Sequence, residues 1–347
     1  MKRGGKSAAV FLAILLLAEN LWGCGEKTAL KFYTAQFLSL FDTVTQIQGY
    51  AEDEASFKAL VQQIKADLEE YHRLYDAYET YEGLVNIKTL NDRTWEDGQP
   101  KRFENLDPRL WKLLEFGKEL YAATDGQVNI GMGRVLQLWH MYREQGIADP
   151  VNAQLPPLEE LRKAALHTDL ETIVLDEQDR SVTFMDPQLQ LDVGAIAKGY
   201  ALEQVCQKLE RQGTAHLLIS VGGNIRVLGP RADGSPWQVK IPHPENPEGE
   251  ALAVVELWEG SLVSSGSYQR YYTVEGRRYH HIINPESLYP ENQYLAVTVQ
   301  TGDSGLADGL STALFNLSQA DGEALLRQME ADACWWVYCD GTLVHFP

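Results

Sequence analysis

From Thr172 onward the chain breaks into short apolar segments separated by turn residues, and this run of strands most limits what it can fold into. "TIVLD", "SVTFMD", "LQLDV", "HLLISVG", "WQVKI", "LAVVELW", "SLVSSG", "QRYYTV", "RYHHIIN" and "YLAVTVQ" follow one another. Each has a strand's length and is too short for an ordinary helix. Glu275 and Gly276 form a predicted hairpin turn between two of them. Only two helices interrupt the run, at 195–209 and 306–317. Parallel α/β sheets need a crossover after almost every strand, so this order predicts an α+β fold with a mostly antiparallel strand-rich half.

The first half reads as helical. Residues 52–78 carry Phe57, Leu60, Val61, Ile64 and Leu68 at three-and-four spacing. After a polar, loop-like segment over 79–104, "DPRLWKLLEFGKELYAAT" opens a second helix with Asp107 at the N-cap and Pro108 at the first helical position. It stops near Gly126, and helical periodicity returns at "GRVLQLWHMY" and "PLEELRKAAL". No internal repeat or low-complexity linker divides the chain.

The 347 residues include 49 acidic and 30 basic ones, a formal net charge of -19. That balance argues against a nucleic-acid surface and against a polybasic membrane patch. An anionic ligand then needs local help from a helix N-terminus, a lysine or a divalent cation. At the start, Lys2, Arg3 and Lys6 precede an apolar run from Ala8 to Ala18, the layout of a signal peptide and shorter than the roughly 20 residues of a spanning helix. The run ends at "LWGC", which resembles a lipobox. Residues 1–23 are therefore expected to be a lipoprotein signal peptide, Cys24 to carry the lipid, and 24–40 to form a tether on the outer face of the cytoplasmic membrane. Cys206, Cys334 and Cys339 remain, and an odd number defines no disulfide framework.

Five segments carry candidate chemistry. In "LDVGAIAKGYALEQV", Asp192, Gly194 and Lys198 sit where a strand reads into a helix, a junction that serves equally as a cap or as an anion site. "SVGGN" ends a strand in two glycines, which permit a turn or a close backbone approach. "SSGSYQRYY" and "RYHHIINP" place His280 and His281 on opposite faces of a strand by alternation, so only one points into a given site. The serines there lack the G-x-S-x-G elbow of a serine hydrolase. "DSGLADGLSTALFNLS" sets Asp308 and Thr312 four apart on one helix face, hard oxygen ligands that suit magnesium. "TDGQVNIGMG" is a glycine-punctuated loop that matches neither the P-loop nor the dinucleotide pattern.

The order "DVGAIAKGYA", "ISVGGNI", "SSGSYQRY", "YHHIINP", "DSGLADGLSTALF" resembles the ApbE-type family of FAD:protein FMN transferases, from about Phe41 to the C-terminus. The resemblance implies one T-fold-like ApbE domain over residues 41–347 that uses magnesium, splits FAD at its pyrophosphate and attaches FMN through a phosphoester to a threonine or serine of a partner redox protein. The family's FAD contacts fall on Phe41, Gln127, Val128, Asn129, Asp192, Lys198 and Ile282. Its magnesium ligands fall on Ala195, through the backbone oxygen, and on Asp308 and Thr312, and its transfer histidine falls on His281. The implied acceptor is a subunit of a membrane-associated redox complex. Val128 and Asn129 stand where many members have "FD", "PESLYP" replaces "P-x-T-G-x-P", and Phe41 replaces a methionine. Hydrolysis of FAD to FMN and AMP, or FAD binding without turnover, would use the same residues and stays open at this point.

Overall fold

The computed structural model describes residues 29–92, 100–246 and 249–347. The signal peptide and Cys24 lie outside the described residues. The strands are β1 (Lys31–Leu40), β2 (Thr43–Ala51), β3 (Arg102–Phe103), β4 (Ile173–Asp176), β5 (Ser181–Phe184), β6 (Leu217–Val221), β7 (Asn224–Leu228), β8 (Trp237–Ile241), β9 (Ala253–Leu257), β10 (Gly260–Gly266), β11 (Tyr271–Val274), β12 (Arg277–His280), β13 (Tyr294–Thr301), β14 (Ala333–Tyr338) and β15 (Leu343–Phe346). The helices are α1 (Glu54–Tyr75), α2 (Ile87–Asn91), α3 (Pro108–Ala123), α4 (Gly133–Ala148), α5 (Leu158–Ala165), α6 (Ala197–Arg211), α7 (Ser304–Asn316) and α8 (Gln319–Gln328).

Eight strands form one sheet in the order β1-β2-β6-β7-β10-β13-β14-β15, and every pairing in it is antiparallel. The fold is α+β, as the strand run predicts. Both faces of the sheet are covered, so β13 is buried along nearly its whole length instead of alternating. On one face Ile47, Ile219, Val263, Val297 and Val299 pack in the main core with α1, α6 and α7. On the other, Leu218, Val227, Leu262 and Trp335 meet Trp237, Val239 and Leu257 of the β8–β9 hairpin. A third cluster joins Val135 and Trp139 of α4 to Tyr272 of β11.

Helix boundaries follow local chemistry. Asp53 caps α1 by accepting from the Ser56 amide at 2.8 Å, and Phe57, Val61, Ile64 and Leu68 all turn inward. Asp107 accepts from the Arg109 amide at 2.9 Å with Pro108 opening α3. The Glu275–Gly276 turn is present, both residues at positive φ, between β11 and β12.

Four expectations need correction. Residues 31–40, assigned to a tether, are strand β1, an edge of the main sheet paired along its length with β2. The first half thus contributes two strands to the main sheet, joined by a turn at Phe41 and Asp42 that carries no glycine or proline to mark it. "LQLDV" is no strand: Gln190 makes one isolated bridge with Met132, and the Leu191 amide bonds to the Asn91 side chain. The "SVGGN" glycines, at φ +56° and +94°, turn β6 back into β7, which the strand list lacked. Finally, β12 ends at His280, so His281 lies just past the strand.

The helices α6 and α7 cross at Gly199. A Cβ there would overlap the Ser304 carbonyl oxygen and lie 2.5 Å from Asp308 Cβ. Gly199→Ala is expected to destabilise the protein by about 1–3 kcal/mol through forced separation of the helices. Urea unfolding measures this; an unchanged midpoint and slope would refute the close-contact account.

Candidate functional site

The site lies where α6 and α7 begin, beside the β6–β7 turn. Asp303 caps α7 by accepting from the Leu306 amide at 2.9 Å, and one turn later Asp308 is buried, 3% exposed. Its Oδ2 accepts from the Gly199 amide at 2.8 Å and from Asn224 Nδ2 at 3.1 Å, and Lys198 Nζ stands 3.6 Å away. Burial pushes the Asp308 carboxyl upward, while Lys198 and these hydrogen bonds pull it back down. Gly199 is the third residue of α6, whose first ladder bond runs from the Tyr200 amide to the Ile196 carbonyl, so its amide is one of the helix-start donors without an intrahelical acceptor. Asp308 supplies that acceptor, and Ala195 lies just before the N-cap. Thr312 Oγ1 donates to the Asp308 carbonyl at 3.3 Å, so its lone pairs are still available.

The chemistry of the donors fits magnesium: the Asp308 carboxylate and Thr312 hydroxyl lie one turn apart on α7, and with the Ala195 carbonyl they make a set of hard oxygen donors. Among the described residues no group of three or more His, Cys, Asp or Glu side chains forms a metal cage.

Asp192 and Lys198 flank this point. The Asp192 amide donates to the Ile130 carbonyl at 2.8 Å, and its Oδ1 accepts from the Gly194 amide at 2.8 Å. Burial raises its carboxyl above the usual range; the Gly194 bond and the charges of His140, Arg270 and Lys198 oppose that rise. Lys198 Nζ also donates to the Gly194 carbonyl at 3.4 Å, so the ammonium bridges the turn and Asp308.

The two histidines separate cleanly. His280 is buried, with Nε2 2.6 Å from the Glu291 carbonyl and Nδ1 accepting from the Ile282 amide at 3.2 Å. Those partners use both ring nitrogens, and the ring meets Phe315 edge-on. His281 is held by its own amide, which donates to the Arg270 carbonyl at 3.1 Å, while its buried Nδ1 has no hydrogen-bond partner. Burial lowers the His281 pKa to about 3, helped by His280, Arg270, Lys198 and Arg143. A neutral imidazole with an uncommitted nitrogen is the form that accepts a proton.

The loop residues have different fates. Val128 is a core side chain, and its amide donates to Thr124 Oγ1 at 3.0 Å. Asn129 uses both ends of its amide on the protein, accepting from the Gly131 amide and donating to the Thr168 carbonyl. Gln127 retains a buried Oε1 without a partner. Phe41 and Asp42 form the β1–β2 turn at positive φ, with the Phe41 ring edge-on to His72. Ile282 is buried in the main core.

Sequence reasoning missed Asn224, Arg270 and Ser311. Asn224 stood inside "SVGGN", where the glycines took the attention. Arg270, just before β11, approaches Asp42 of the β1–β2 turn at 4.0 Å, and its carbonyl accepts from the His281 amide. Ser311 Oγ lies 2.7 Å from Ser265 Oγ and donates to the Asp308 carbonyl at 3.0 Å. Ser264 likewise pairs with Thr298, so neither strand serine is free as a nucleophile.

The fold and these residues define an α+β protein in which the starts of α6 and α7 set a buried carboxylate against a lysine, a backbone amide and an asparagine beside the β6–β7 turn. Residues 41–335 match the model of the ApbE family, and the chain belongs to that family. An FAD:protein FMN transferase of Klebsiella pneumoniae is 28% identical over 261 residues, 74% of this chain and 78% of its own length. One from Haemophilus influenzae is 33% identical over 212 residues, 60% of each chain. Among solved structures, the ApbE protein of Thermotoga maritima superposes with a TM-score of 0.77 at 25% identity, over 90% of this chain and 96% of that one. The flavinyl transferase ApbE of Pseudomonas stutzeri gives 0.74 at 25% identity, over 91% and 94%.

A histidine with a pKa near 3 binds no proton in the native state between about pH 3 and its unfolded value of about 6.5. The unfolded chain does bind one there, so native stability from this group is complete above that window and declines as pH falls through it. Ring resonances of His281 in the ligand-free protein should therefore show no titration step between pH 8 and 5, and His281→Gln should flatten the acid decline. A step near pH 6.5 would contradict the burial described.

Proposed function

We propose that this protein transfers the FMN part of FAD to a threonine or serine hydroxyl of a partner flavoprotein, with magnesium, and releases AMP. The observation that carries the reading is the convergence of the Gly199 amide and Lys198 on the buried Asp308 carboxylate, in a chain whose named relatives are FAD:protein FMN transferases. Bound magnesium supplies Lewis-acid neutralisation of the phosphate oxygens, and Ala195, Asp308 and Thr312 would hold it. Lys198 offsets the diphosphate charge that a strongly acidic protein would otherwise repel. His281 takes the proton of the acceptor hydroxyl through its uncommitted nitrogen. The hydroxyl oxygen forms a new bond to the FMN phosphorus, the pyrophosphate bond breaks, and its electron pair leaves on AMP. A diphosphate beside His281 raises its proton affinity from the depressed ligand-free value, in the direction a base requires. Gln127 offers its buried Oε1 to a flavin donor, whereas Val128 and Asn129 hold the loop in shape.

Lipidation at Cys24 is part of the same proposal. With β1 starting at Lys31, the leash shortens to residues 24–30, which covalent geometry limits to roughly 25 Å. The site would then stay close to the outer membrane face, where a membrane redox subunit is concentrated as an acceptor.

The test is one incubation of protein, FAD, magnesium and a peptide bearing an acceptor threonine. AMP and covalent FMN-peptide should appear together and cease with a chelator. Because Asp308 also binds Gly199 and Asn224, Asp308→Asn is the better probe than alanine. Its rate should fall by at least about 100-fold, since even indirect supports of a metal ligand are worth about 10- to 100-fold. AMP without peptide labelling would mean hydrolysis, and intact FAD would mean binding alone.

A further inference from the structure

We infer that Asn224 is a positioning residue for the cation ligand Asp308: its side-chain amide fixes which carboxylate oxygen is left for the metal. This rests on the reading of Asp308 as a magnesium ligand. Asn224 is 1% exposed, the first residue after the Gly222–Gly223 turn. The turn is itself held, because the Gly222 amide donates to the Val44 carbonyl and Asn224 lies in register with Val221 and Val263 on its two flanking strands. The side chain therefore has little freedom, and it delivers Nδ2 to Asp308 Oδ2 at 3.1 Å.

The other donors choose the same atom. The Gly199 amide bonds Oδ2 at 2.8 Å, and Lys198 Nζ is 3.6 Å from Oδ2. With Asn224 and Gly199 on one oxygen from two different elements, the carboxylate cannot rotate without losing a charge-assisted bond on each side. Oδ1 receives none of these donors and becomes the oxygen presented to a cation. Lys198 has a flexible stem and belongs to the ligand side; the Gly199 amide is backbone. Asn224 is thus the one rigid side chain that orients the carboxylate, the role that outer partners of metal ligands play generally. Its residue type follows. Aspartate would place a second negative group against Oδ2, serine is too short to span the gap, and leucine fills the space without a donor.

The full chain with FAD present and acceptor absent is titrated with Mn2+ by electron paramagnetic resonance, which reads cation binding without turnover. Asn224→Leu should weaken Mn2+ binding by about 10- to 100-fold, leaving cation-free FAD affinity unchanged. In transfer assays the half-saturating Mg2+ concentration should rise by the same factor, with kcat largely recovered at saturating Mg2+. Should the leucine variant not fold, Asn224→Ser, smaller and polar, should give the same shift. A merely structural Asn224 would lower thermal stability but leave the Mn2+ affinity in place, and that result overturns the inference. If wild-type protein binds no Mn2+ with FAD, the cation site itself fails, and the inference with it.

Discussion

A single carboxylate oxygen, Asp308 Oδ2, joins α7 to the first turn of α6 and to β7, and the geometry of the site depends on that junction. A buried carboxylate is tolerable only when it is hydrogen-bonded or paired, and leaving it unpaired costs several kcal/mol. The molecule satisfies it with a backbone amide at the start of α6, one that has no acceptor within its own helix. The match works in both directions, because the helix-start amide gains an acceptor and the buried carboxylate gains a donor. One contact between two helix starts thereby satisfies both groups and orients the carboxylate.

A second buried network makes this junction rigid. Glu203 Oε2 accepts from Arg226 Nε at 3.0 Å and from the Ser304 amide at 2.9 Å. Arg226 also reaches Glu210 and the Val227 carbonyl. The same three elements, α6, β7 and α7, are thus joined twice, once at Asp308 and once about a turn away. Charge placement agrees with an anionic ligand: Lys198, Arg270, His140 and Arg143 all exert their fields on Asp192 or His281. In a protein with a formal net charge of -19, these cationic groups offset locally the repulsion that an anionic ligand would meet over the rest of the surface.

Much of this was legible in the sequence, for physical reasons that differ by element. The strand run after Thr172 was readable because turn residues punctuate it, and α1 because Phe57, Val61, Ile64 and Leu68 keep one face. β1 and β2 were not, since "KFYTAQFLSL" and "TVTQIQGYA" sit next to a long helix and carry no glycine or proline between them. Their turn is made by Phe41 and Asp42 at positive φ, which residue type does not announce. Asp308, Thr312, Asp192 and Lys198 were legible as motif residues. Asn224 was not, because an asparagine after two glycines reads as turn chemistry, and its partner lies 84 residues away. The His280–His281 division was expected from strand alternation. It arises instead from the strand's end, which lets His280 fold back onto Glu291 and Ile282 while His281, held by its amide to Arg270, keeps a ring nitrogen without a partner.

The glycines of the two helices explain why the junction can exist at all. Gly199 lets α6 approach Ser304 and Asp308 to distances that no side chain permits. Gly305 faces the Tyr200 backbone, where a Cβ would sit 3.2 Å from its Cα, and Gly309 faces Leu120, where a Cβ would come within 2.7 Å. Helix axes normally pack 8–10 Å apart, and the lower end of that range requires small residues at the crossing. An unpaired amide at one helix start can reach a carboxylate on another helix only if the two backbones come that close. The glycine spacing thus sets the helix separation, the separation sets the Gly199–Asp308 bond, and the bond decides which oxygens remain for a cation.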